Sequence, residues 1–212
     1  MIPQHVVLSE LERDALTEIV NIGVSRAASN LRKMIGDQVY LSVPSIDVVS
    51  QRRAARLISE REVSELVAVR QGFTGAFAGR ALLIFPETNS LDLVRAVTGN
   101  ELTTQEVIDI EQEALAETGN VILNSCLATM ANMLKQSLSM SIPEVVRGSG
   151  SNLFEVDEQS ETEGLVLFLY IDFAVRSRDI RGYIAMIMDL PALASLKALL
   201  EDFIARVVGD DA

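Results

Sequence analysis

The chain has 212 residues, 49% of them apolar and 5% aromatic, with no Trp and a formal net charge of −12. This composition supports a sizeable core, in one large domain or two small halves sharing it, and disfavours disorder. Few aromatics for base stacking and a strongly acidic balance speak against nucleic acid as a ligand and suit a partner with basic groups at its contact surface. One cysteine, Cys126, leaves no internal disulfide, fits a reducing compartment and reads as a small buried hydrophobe rather than a nucleophile. The lone histidine, His5, has no Cys or carboxylate neighbours at ligand spacing, which disfavours a zinc site or a Ser-His-Asp triad. The start Met1-Ile2-Pro3-Gln4-His5 lacks the basic and apolar regions of a signal peptide, and the apolar stretch Leu165 to Ile171 is too short to span a bilayer. A cytoplasmic protein that does not contact membrane is expected.

Taken in chain order, Ser9 with Glu12 forms a capping box that opens a helix running to about Ile35, with Gly36-Asp37 as its stop. In that helix Leu16, Ile19, Val20, Gly23, Val24, Ala27 and Leu31 make a broad apolar arc. Asp14, Glu18, Asn21, Ser25 and Arg32 fall opposite it, within about 60° at 100° per residue. Val39 to Val49 reads as a β-branched strand that contains Pro44, so it must lie at an edge or carry a bulge. Gln51 to Glu60 reads as a polar, Arg-rich connector. Val63 to Val69 and Ala76 to Phe85 read as a hairpin, with Gly72, Gly75 and Gly79 marking the bend, followed by a short helix from Thr88 to Val97.

The order then begins again. Thr103 or Thr104 caps a long helix reaching about Leu138, and Ser141 to Val146 reads as a strand containing Pro143. Gly148 to Glu163 reads as a loop, Leu165 to Phe173 and Tyr183 to Met188 as strands, and Pro191 to Val208 as a closing helix whose proline suits a first turn. Gly79 and Gly182 are offset by 103, which places four extra residues most simply in the Val175-to-Asp179 turn. The fold expected is α+β, one domain over 1–212 built from two pseudo-two-fold α-β-β-β-α halves, about 1–100 and 101–212. Two long helices would pack on a shared, largely antiparallel sheet.

One constellation occurs in both halves. Glu18-x-x-Asn21 is followed after twenty-two residues by Pro44, and Glu117-x-x-Asn120 after twenty-two by Pro143, each member offset by 99. Residues three apart share a helix side, so each pair presents a carboxylate beside a carboxamide. A lone Glu-x-x-Asn would be an ordinary solvated face. Asn, however, is a poor helix former, and two mid-helix copies with one spacing to a proline point to use. Glu113, Glu117, Asn120 and Asn124 share the second helix's polar face, while Leu115, Val121, Ile122 and Leu127 occupy the rest.

At these residues the sequence resembles the CheC/CheX/FliY family, phosphatases of chemotaxis response regulators. The family pattern is Asp or Ser, three residues, Glu, two residues, Asn, twenty-two residues, Pro. Asp14, Glu18, Asn21 and Pro44 match it completely; Glu117, Asn120 and Pro143 match it, with Glu113 standing where Asp or Ser is usual. Two motif copies are typical of CheC rather than single-motif CheX. The resemblance implies hydrolysis of the aspartyl phosphate of a CheY-type receiver. In it Asn21 and Asn120 orient the attacking water, Glu18 and Glu117 pair with the receiver's lysine, and Pro44 and Pro143 shape the strand end. Phosphoryl transfer from an activated acyl phosphate needs positioning more than covalent chemistry. The protein would need no metal or cofactor of its own, and Mg2+ would belong to the receiver. Adaptor roles, binding a phosphorylated receiver or the deamidase CheD without turnover, are the main rival. A flagellar-switch part like FliY is a weaker one, since the chain ends at Ala212 after its second half.

Overall fold

The computed structural model describes residues 7–36, 38–43, 46–98, 103–156, 164–175 and 178–210. Helix α1 (Glu10–Ile35) starts at the Ser9 capping box, in which the Ser9 Oγ accepts from the Glu12 N–H and the Glu12 carboxylate accepts from the Ser9 N–H. It stops at Gly36, whose φ of 73° places it in the left-handed region that ends helices. Strands β1 (Val39–Ser42) and β2 (Ile46–Ser50), helix α2 (Gln51–Arg61), the hairpin β3 (Leu66–Gly75) and β4 (Gly79–Pro86) and helix α3 (Glu87–Thr98) complete the first half. The second repeats it as α4 (Thr104–Met133), β5 (Leu138–Met140), β6 (Glu144–Gly148), α5 (Gly150–Leu153), β7 (Leu165–Val175), β8 (Arg178–Met188) and α6 (Leu190–Asp210). His5 and Pro44 lie outside the described residues.

Several expectations change. The Arg-rich connector is helix α2, because Ser50 caps it and Ala54, Ala55 and Ile58 form a buried stripe beneath exposed Arg53 and Arg56. Helix α4 ends at Met133 rather than near Leu138. Each proline-containing strand is two strands, and the loop expected from Gly148 contains the short helix α5. The extra residues of the second half lengthen its hairpin, with β7 and β8 at 11 residues each against 10 and 8 for β3 and β4; positions 176–177 at its tip lie outside the described residues.

The sheet runs β1-β7-β8-β4-β3-β5, with β2 also on β7 and β6 also on β3, all pairs antiparallel. At its centre Leu82 lies opposite Ala185, its own counterpart at the 103-residue offset, and the pairs Arg80–Ile187 and Ile84–Tyr183 exchange under that offset. A pseudo-two-fold axis therefore passes between β4 and β8. The outer strands cross over: β1 and β2 of the first half pair with β7 of the second, and β5 and β6 pair with β3 of the first. Each half closes the other's sheet. From Ser42 to Ile46 four chain steps answer three on β7, and from Met140 to Glu144 four answer three on β3. Pro143 thus falls at a bulge of the outer strands, where a missing donor costs no ladder bond.

Alternation along β3 separates two cores. Val67, Val69 and Phe73 join the large core under the helices, with Leu16, Ile19, Val20 and Val24 of α1 and Leu115, Ile122, Leu123 and Cys126 of α4. Leu66 and Ala68 face the other side, where α2 and α5 cover Phe154, Phe168 and Tyr183. The Tyr183 hydroxyl donates to Glu62 there, and burial first, then that carboxylate, raises its pKa. Helices α1 and α4 pack directly on each other. A Cβ added to Gly23 would stand 2.8 Å from the Cys126 Cα, so this glycine lets the two backbones nearly touch.

Candidate functional site

The two motif faces stand out from this packed helix pair. Asp14, Glu18, Glu113 and Glu117 are all exposed, and none makes an ion pair with a described residue. An open groove of about 540 Å³ runs along α1, lined by Glu18, Asn21, Ile22, Ser25, Arg26 and Ser29 among others. Arg26 is the cation of this groove, and its Nη1 donates to the Thr129 hydroxyl of α4 at 3.2 Å. Among the described residues no helix is long and apolar enough to cross a membrane.

The asparagines differ from expectation and from each other. Sequence alone puts both in water; the structure half-buries both. Asn21 clasps the backbone of Val43, its Nδ2 donating to the Val43 carbonyl at 3.1 Å and its Oδ1 accepting from the Val43 N–H at 2.9 Å. Val43 is itself buried and immediately precedes Pro44. The spacing of the motif thus has a structural cause: after α1 the chain returns along the sheet edge and brings residue 43 against residue 21. A carboxamide has two N–H donors and two lone pairs, so the clasp leaves Asn21 one of each.

In the second half the equivalent corner is held without Asn120. Ser141 is fixed to β3, its N–H donating to the Gly72 carbonyl and its Oγ accepting from the Gly72 N–H, both at 2.9 Å. The Ser141 carbonyl accepts from Nε2 of Gln71 at 2.7 Å. Ile142, the counterpart of buried Val43, is 85% exposed, and Pro143 is half-buried beside it. Asn120 turns inward by its oxygen instead. Its Oδ1 accepts from Asn124 Nδ2 at 2.6 Å and from Gln71 Nε2 at 3.5 Å. Its Nδ2 makes no hydrogen bond to a described residue, so both N–H donors remain. Gly119 permits this arrangement: a Cβ there would fall 2.5 Å from the Val69 Cβ, so α4 lies against β3 where Asn120 meets Gln71.

Two family models match the chain, each over one copy of the motif. That described as chemotaxis phosphatase CheX matches residues 67–168, and that of the CheC-like family matches residues 11–47. The chain is similar to the CheC/CheX/FliY family over both copies of the motif. Among relatives, the flagellar motor switch phosphatase FliY of Bacillus subtilis is 26% identical over 164 residues, covering 76% of this chain and 41% of FliY. The CheY-P phosphatase CheC of the same organism is 24% identical over 141 residues, 65% of this chain and 67% of CheC. The chain therefore spans less than half the length of that FliY. In fold it is similar to FliY of Thermotoga maritima, with a TM-score of 0.72, 17% identity and coverage of 93% of this chain and 99% of the other. It is also similar to the FliM middle domain from H. pylori, with a TM-score of 0.61, 9% identity and coverage of 91% and 99%.

Cys126 is fully buried in the large core, and loss of hydration pushes its thiol pKa up to about 12, as an inert core residue requires. Sequence reasoning missed Gln71 and Ser141. A signal was present for Gln71, since it occupies the core-facing register of Val67, Val69 and Phe73, where a carboxamide is out of place unless something holds it.

Proposed function

We propose that this protein dephosphorylates a CheY-type receiver, using the Glu-Asn pairs of α1 and α4 as two docking and water-positioning sites. The observation that carries the reading is the combination at each pair. An exposed carboxylate with no ion-pair partner among the described residues stands one helix turn from a carboxamide fixed by its neighbours yet retaining hydrogen-bonding capacity. A surface Glu makes a usable docking charge, and a held Asn makes an accurate one-water template. Glu18 and Glu117 would pair with the receiver's lysine. The water oxygen would attack phosphorus as the bond from phosphorus to the receiver's aspartyl oxygen breaks. The aspartate leaves as carboxylate, and the water's proton passes to the phosphate formed. Magnesium would belong to the receiver, where it neutralises charge on the phosphoryl oxygens.

The two carboxamides would contribute differently. Asn21 has one N–H and one lone pair to offer, so it can both donate to and accept from the water. Asn120, with its oxygen engaged by Asn124 and Gln71, acts as a donor, to the water's oxygen or to a phosphoryl oxygen. Fold alone does not select this reading, because a FliM middle domain shares it.

The test is decay of a phosphorylated CheY-type receiver with and without the protein. Decay should accelerate, and Asn120→Ala, which leaves the Asn21–Val43 clasp intact, should remove part of the acceleration. Glu18→Lys should weaken receiver binding by like-charge repulsion without changing stability. Unaltered decay despite measurable binding would replace the phosphatase reading with an adaptor for the phosphorylated receiver. Binding of CheD in its place would make the adaptor one for that protein.

A further inference from the structure

Gln71 belongs to neither motif copy. It is 2% exposed in the middle of β3, and its Oε1 is buried without a partner. An unpaired buried carbonyl is costly, so the side chain is held by what its nitrogen does. That nitrogen donates to the Ser141 carbonyl at 2.7 Å and, at 3.5 Å, to Oδ1 of Asn120. The first site is held differently: Asn21 is fixed by the Val43 backbone, and the register of the outer strands, Phe73 opposite Met140 and Phe173 opposite Leu41, places the apolar Ile171 where the second site has Gln71.

The oxygen and nitrogen ends of an Asn carboxamide have nearly the same shape, so packing alone does not choose which end faces inward. Donors around it do. With Gln71 Nε2 and Asn124 Nδ2 both directed at the Asn120 oxygen, the flipped state would set NH2 against two NH2 groups. We infer that Gln71 is a positioning residue of the second site: with Asn124 it turns the Asn120 oxygen inward and presents the Nδ2 hydrogens outward. This rests on the phosphatase reading for its functional consequence, though not for its geometry. A Gln71→Met variant keeps length and apolar stem but removes the donor. Gln71→Glu replaces the donor with an acceptor, which favours the flipped state of Asn120.

The experiment measures receiver-phosphate decay in two backgrounds, Glu18→Lys to leave the second site and Glu117→Lys to leave the first. In the Glu18→Lys background, Gln71→Met should lower kcat about ten-fold or more by loss of orientation, with KM within about two-fold. Gln71→Glu should lower it at least as far. In the Glu117→Lys background neither change should matter. Equal loss in both backgrounds, or none in the first, overturns the proposal. A second readout is independent of turnover. The Asn120 side-chain NH2 signals in a 15N-labelled protein, assigned by their loss in Asn120→Ala, should move in Gln71→Met and more so in Gln71→Glu. Unmoved signals overturn the positioning role. If those signals move while Asn120→Ala leaves decay unaltered in the Glu18→Lys background, the catalytic reading of Asn120 fails and the positioning role of Gln71 stands.

Discussion

Replacing Asn21 by alanine removes both hydrogen bonds to Val43, the donor to its carbonyl at 3.1 Å and the acceptor from its N–H at 2.9 Å. Val43 is 1% exposed, so its backbone groups lose partners in a place where water does not readily replace them. A buried polar group left unpaired costs about 1–3 kcal/mol, so two cost about 2–6 kcal/mol. The corner lies on an outer strand and can relax, which puts the expected loss at about 2–4 kcal/mol. For a domain of this size that is a fall in Tm of roughly 5–15 °C. Asn120→Ala should cost less, about 1 kcal/mol, because Ser141 keeps its bonds to Gly72 and Gln71 whether or not Asn120 is present. Urea unfolding followed by far-ultraviolet circular dichroism measures both, with the slope m as a check that the unfolded state is unchanged. An Asn21→Ala protein within about 0.5 kcal/mol of wild type, or equal losses from the two variants, would refute the argument that Asn21 is part of the fold. The expected result also bears on catalysis. Activity lost in Asn21→Ala mixes structure with chemistry, and Asn120→Ala is the cleaner probe.

Two further outcomes follow from the helix pair. Gly23→Ala places a Cβ 2.8 Å from the Cys126 Cα, so α1 and α4 must separate; a loss of about 1–3 kcal/mol is expected, and a Tm equal to wild type would show that the crossing is looser than described. Cys126, fully buried with its pKa pushed up to about 12, holds only about one part in ten thousand as thiolate at pH 8. It should resist thiol reagents in the native protein and react promptly in denaturant, and native reaction at the rate of an exposed thiol would contradict its burial.

Much of the architecture was legible because it is local. The Ser9–Glu12 capping box places the first helix start, Thr103 or Thr104 places the second to within a residue (the structure uses Thr103, boxed with Glu106), and the 3.6-residue spacing of Leu16, Ile19, Val20 and Val24 selects the buried face. A proline signals an outer or bulged strand because it withholds a ladder donor whatever its neighbours are, and Pro143 falls between β5 and β6. Helix α2 was hidden by composition: its arginines dominate the stretch, and only Ala54, Ala55 and Ile58 carry the core signal.

The sequence by itself determined the two long helices, their polar and apolar faces and the exposed carboxylates Glu18 and Glu117, since each depends on residues within a turn or two of one another, and the repeat showed in the shared offset of 99. Tertiary structure decided what the asparagines are bonded to. Asn21 meets Val43 across 22 residues and Asn120 meets Gln71 across 49, through a sheet whose halves exchange their outer strands. Which atom of a carboxamide faces inward depends on donors that only this strand register brings together, and no local spacing encodes it.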